Sequence, residues 1–147
     1  MIQYIRYKYR LFNLFRNRNK TRKVFAGQLK KMRSEKASED DIYGIYHEEN
    51  TELKIVDYEI EVLTTEYFVD LAKVHFIEVP RWDDEKAWID SSLDPYRKVL
   101  SNQAISNLRE KIMGYRKMRN EQLVPIITSL TGLIGAVIGV VALFISR

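Results

Sequence analysis

The sequence predicts an all-α protein: a cytoplasmic antiparallel helical hairpin, or coiled-coil arm, followed by a C-terminal transmembrane helix. Three observations carry this expectation. The 25 residues from Gln122 to Ser146 include no charged side chain. From Leu53 to Val74 apolar residues recur in steps of three and four, the spacing of one helix face. Charge also falls in blocks. Residues 1–34 hold 11 Lys/Arg and no Asp or Glu, whereas residues 35–99 hold 18 acids against 7 bases.

The first segment, residues 1–21, is basic and aromatic. Tyr4, Tyr7, Leu11, Leu14 and Phe15 fall near one side of a helix, with Arg6, Lys8 and Arg10 elsewhere. Two readings are open for it: a helix lying on a membrane surface, or an extension of the hairpin packed on the acidic helix. Residues 16–23 (RNRNKTRK) are too polar to hold a core face and read as a break. The hairpin is expected over residues 22–79. Its first helix carries Phe25, Leu29 and Met32, and its second carries Leu53, Val56, Ile60, Leu63, Tyr67, Leu71 and Val74. Ser38 followed by Asp41 resembles a capping box opening the second helix, and Glu39, Asp40 and Asp41 suit its positive end. Pro80 is expected to close it. The connection between the two helices is short, which implies an antiparallel pair, basic against acidic, within one chain or between two.

Residues 80–100 form a loop bearing Trp82 and Trp88, expected to cap the core end. A juxtamembrane helix follows over residues 101–121, with Ile105, Leu108, Ile112 and Tyr115 on one side. It leads into the membrane helix, residues 122–146. At 1.5 Å per residue that run reaches about 37 Å, against about 30 Å of bilayer hydrocarbon. Pro125 is placed in the first turn of the span, where its missing N–H costs little. Arg109, Lys111, Arg116, Lys117 and Arg119 precede the run and only Arg147 follows it. The excess of positive charge assigns residues 1–121 to the cytoplasmic side, with a bacterial inner membrane as the expected location. Within the span Gly135 and Gly139, extended by Thr131, form a small-residue face suited to helix association.

Catalytic chemistry finds little support. There is no Cys, which excludes disulfides, Cys-based zinc sites and Cys nucleophiles. No phosphate-binding, dinucleotide-binding, nucleophile-elbow or zincin motif occurs. His47, Glu48 and Glu52 share a helix face, and Asp83, Asp84 and Glu85 share a loop, but both clusters read as solvated charge. No catalytic residue, metal ligand, cofactor or small-molecule substrate is expected. The expected partners are a lipid bilayer and either a second protein or another copy of the chain, with nucleic acid disfavoured. Residues assigned to lipid or partner contact are Arg6, Lys8, Arg10, Arg16, Arg18, Arg22, Arg116, Lys117 and Arg119.

The last 70 or so residues carry a tryptophan-bearing loop, then LREKI and YRKMRNEQ, then TGLIGAVIGVVAL. Together these resemble uncharacterised small bacterial single-pass membrane proteins of accessory or mobile gene regions. The resemblance brings no catalytic residue. The function expected is a non-enzymatic, membrane-tethered helical interaction or scaffold protein. The alternative is an oligomerising, membrane-perturbing effector, for which the resemblance implies a place in phage defence.

Overall fold

The computed structural model describes residues 2–145, apart from the side chains of residues 135, 137 and 139–145. Five elements follow in order: α1 (Ile2–Ser34), α2 (Glu39–Val74), β1 (Trp88–Asp90), β2 (Lys98–Leu100) and α3 (Asn102–Ile145). The chain divides into two compact units, Met1–Leu108 and Arg109–Arg147.

In the first unit α1 and α2 form an antiparallel hairpin within one chain. Tyr7 stacks on Tyr67 with ring centroids 3.9 Å apart. Further along, Arg18 pairs with Asp57, and Arg33 Nη2 donates to the Tyr46 hydroxyl at 2.9 Å. Partner numbers fall as α1 numbers rise, which fixes the antiparallel sense. The seam on α1 runs through half-buried Tyr7, Leu11, Leu14, Thr21 and Phe25 to buried Leu29, in steps of three, four or seven. Facing it, α2 presents half-buried Leu53, Val56 and Ile60 and buried Leu63. With Arg18 filling the gap on α1, the stripes repeat about every 3.7 residues on α1 and about every 3.3 on α2, close to the 3.5 of two helices packed lengthwise.

The expected break over residues 16–23 does not exist, because α1 is continuous for 33 residues. Polar as that stretch is, Arg18 sits in the seam and finds Asp57 there, so the helix needs no apolar side chain at that turn.

Both helices of the hairpin end in the same way. Lys36 and Phe76 adopt left-handed backbone with φ 54°. Ala37 N–H then donates to the Met32 carbonyl and Ile77 N–H to the Ala72 carbonyl, while Lys36 and Phe76 donate to Arg33 and Lys73. This six-to-one plus five-to-two pattern usually has Gly at the left-handed position. Consequently α2 stops at Val74, several residues before Pro80. Its start matches the sequence: Ser38 Oγ accepts from Asp41 N–H at 3.2 Å and donates to the Asp41 carboxylate at 2.6 Å.

The all-α expectation is corrected at residues 80–100. The Trp-Ile and Val-Leu pairs, separated by the turn-forming SSLDP, build an antiparallel ribbon in which Trp88 pairs with Leu100 and Asp90 with Lys98. The turn is held by Ser91, whose Oγ donates to the Asp94 carbonyl and accepts from Asp94 N–H. The ribbon packs on the outer face of α2. Ala72, Ala87, Trp88, Leu100, Ala104 and Leu108 form the core there, with Phe68 and Ile77 against it. Trp88 is buried and its Nε1 donates to the Pro80 carbonyl at 3.0 Å, whereas Trp82 is exposed and tilts against it at 4.7 Å. Of the two tryptophans, therefore, Trp88 fills the core and Trp82 lies outside it.

One polar tie secures the ribbon. Buried Thr65 Oγ1 accepts the Leu100 backbone N–H at 3.0 Å. Thr65→Val keeps the shape but leaves that N–H unsatisfied, costing about 1–3 kcal/mol. The expected result is easier acrylamide quenching of Trp88 and a lower urea midpoint. An unchanged midpoint would show that the tie is dispensable.

The second unit is helical. Pro125 lies inside α3, which corrects its placement in a first turn; its missing N–H leaves the Glu121 carbonyl without the usual helical partner. Among the described residues no helix is long and apolar enough to cross a membrane. The uncharged run of the sequence continues past the last described side chain, Ile138.

Candidate interaction surface

Three features of the molecule could meet a partner: the outer face of α1, the groove along the hairpin, and the apolar length of α3.

The outer face of α1 was not legible as such. Tyr7, Leu11 and Leu14 enter the seam, but Tyr4 and Phe15, expected on the same side, are exposed. A second apolar stripe lies away from the seam. Ile2, Ile5, Tyr9 and Phe12 are spaced three, four and three residues apart and are 77%, 60%, 66% and 64% exposed. At about 100° per residue this stripe points roughly 170° from the Tyr7–Leu11–Leu14 seam. The signal was present in the 3-4-3 spacing. It was masked because two apolar faces on one helix blur each other's periodicity.

The basic residues separate into two groups. Arg18 belongs to the fold: its Nη2 donates to Asp57 Oδ2 at 3.0 Å and its Nε stands 2.8 Å from Oδ1. That Nε contact is an ion pair without good hydrogen-bond alignment. Arg6 and Arg10 line an open groove of about 190 Å³ together with Glu66 and Asp70 of α2. There the α1 bases face the chain's own acids. Lys8, Arg16 and Arg22 are exposed. The Lys8 ammonium lies 5.7 Å from the centre of the Tyr4 ring, within cation–π range.

A larger groove of about 420 Å³ continues from Arg10 to Arg97, with Leu14, Tyr58 and Val62 beneath. Its polar groups are partly engaged already, since Arg97 Nη2 donates to Glu66 Oε1 at 2.8 Å. It is an open trough, with no convergent set of acid, base and nucleophile. His47, Glu48 and Glu52 are exposed on α2. Among the described residues no group of three His, Asp or Glu is gathered as a metal ion would need.

On α3, Arg116, Lys117 and Arg119 are exposed, with Lys117 Nζ 3.9 Å from Glu121 one turn on. Beyond them Leu123, Val124, Ile126, Ile127, Leu130, Leu133, Ile134 and Ile138 are between 43% and 65% exposed. The Thr131 hydroxyl is turned back to donate to the Ile127 carbonyl at 2.9 Å. Gly135 and Gly139, the rest of the expected association face, lie outside the residues whose surroundings are described. Neighbouring Gly132 has open space beside it.

No protein-family model, curated protein or solved structure matches the chain.

Proposed function

We propose that the chain is a membrane-tethered helical interaction protein, in which the stretch 122–146 is the anchor and the α1–α2 hairpin is the arm presented on the cytoplasmic side. The observation that carries the reading is the bare apolar length of α3. Eight large aliphatic side chains between Leu123 and Ile138 are left substantially exposed. Fully burying a side chain of this size is worth about 1.5–3 kcal/mol, so placing the helix in hydrocarbon gains on the order of 10 kcal/mol. Its backbone is satisfied internally, as lipid requires, apart from the carbonyl opposite Pro125. The uncharged run in the sequence has the length to span, and the basic flank before it supports the orientation. The hairpin adds two long helices of opposite charge and, among the described residues, open grooves along them, which suit contact with a macromolecule better than turnover of a small substrate.

The test is alkaline carbonate extraction of the full chain from bacterial membranes, combined with induced expression. The chain should stay in the pellet, and induction should leave growth and membrane potential unchanged. Extraction into the supernatant would remove the anchor from the reading. Growth arrest with loss of potential would replace the scaffold by a membrane-perturbing effector.

A further inference from the structure

We infer that the outer face of α1 is a docking surface for an anionic lipid headgroup layer. Ile2, Ile5, Tyr9 and Phe12 form an exposed apolar stripe on a helix whose opposite side is already committed to α2. Exposed Lys8 and Arg16 flank the stripe. Residues 1–34 contain no Asp or Glu to offset their 11 Lys/Arg. Aromatic and aliphatic residues bordered by basic side chains are what an interfacial helix needs: the apolar stripe enters the headgroup–acyl boundary and the ammonium and guanidinium groups meet phosphates.

Charge decides among occupants. A second copy docked symmetrically would set this strongly basic face against itself, and like charges in contact are repelled. An anionic lipid surface attracts it at about 1 kcal/mol per basic residue near the surface. The stripe then adds a desolvation gain that a purely electrostatic partner would leave unused. Arg6 and Arg10 look toward Glu66 and Asp70 and Arg18 is paired with Asp57, so the attraction rests on Lys8, Arg16 and their neighbours rather than on all the bases. The inference deepens the membrane reading above. An anchored chain would present this face to lipid at high effective concentration, which is how a weak second contact becomes effective.

Because the chain has no Cys, a single engineered one takes a label uniquely. The full chain carrying Phe12→Cys with an environment-sensitive fluorophore is mixed with phosphatidylcholine vesicles, with or without phosphatidylserine. A blue shift with a several-fold rise in intensity is expected only with phosphatidylserine. It should fade in high salt, where screening shortens from about 10 Å at 0.1 M to about 3 Å at 1 M. Lys8→Glu with Arg16→Glu, both exposed and off the seam, should weaken the response on the order of a hundredfold while leaving the circular dichroism spectrum intact. The same label at Glu48→Cys on α2 should stay silent. Flotation with pure phosphatidylcholine vesicles in high salt reads the anchor alone, so an anchor that fails leaves the phosphatidylserine response standing. Equal shifts in both vesicle types, no shift in either, or the same shift with single-stranded DNA or polyglutamate in place of vesicles would overturn the inference.

Discussion

Leu63→Asp is expected to dismantle the hairpin. Leu63 is 7% exposed and lies on the seam of α2, between Ile60 and the stacked Tyr67. Truncating a buried leucine alone costs about 2–5 kcal/mol, and the introduced carboxylate must also lose its water without a partner. A domain of this size has about 5–15 kcal/mol in total, so the change consumes most of it. Helical ellipticity should fall sharply and proteolysis at the hairpin should accelerate. Ile60→Asp, half-buried on the same seam, should do less, and Glu59→Lys, exposed beside it, should do least. Equal tolerance at all three positions would mean that the long helix has no packed face.

The second large effect concerns location. Deleting residues 122–147 should move the chain from the membrane pellet to the supernatant after a high-salt wash. The deletion removes the uncharged run and spares the whole of the first compact unit, Met1–Leu108, so loss of pelleting would not reflect loss of fold. Salt separates two contributions. Pelleting that survives deletion at low salt and vanishes at high salt belongs to basic residues meeting anionic lipid. Pelleting that survives both would require another membrane-bound element and would retire the single anchor.

The hairpin was legible because its evidence is periodic. Leu53, Val56, Ile60 and Leu63 repeat at helical spacing, and Ser38 with Asp41 marks a start by chemistry that acts locally. The stop of α1 followed from the short connection before Ser38, whereas that of α2, expected at Pro80, was not legible for an equally local reason. Left-handed closing residues are usually Gly, but here they are Lys36 and Phe76, and neither announces itself. The continuity of α1 was hidden for a different reason. A charged seam residue such as Arg18 looks like a break until its partner, 39 positions away, is known. The ribbon at residues 88–100 was overlooked because three-residue strands are too short to show alternation. On the candidate surface, the sequence pointed to basic and aromatic character near the N-terminal end. Only the packing of Tyr7, Leu11 and Leu14 separates the bases that serve the fold from those that face outward.

The Arg18–Asp57 pair also acts as a ratchet tooth. Two helices with matching apolar stripes can slide past one another by one heptad, about 10.5 Å, and bury almost the same surface. Sliding α2 by seven residues either way would bring Asn50 or Thr64 opposite Arg18 in place of Asp57. Neither can neutralise a guanidinium held 30% exposed in the seam. Each misaligned state therefore strands a charge that the aligned state satisfies, and one alignment is set apart from its near-equivalents. The pair need contribute little to overall stability to do this, since its effect is a difference between alignments.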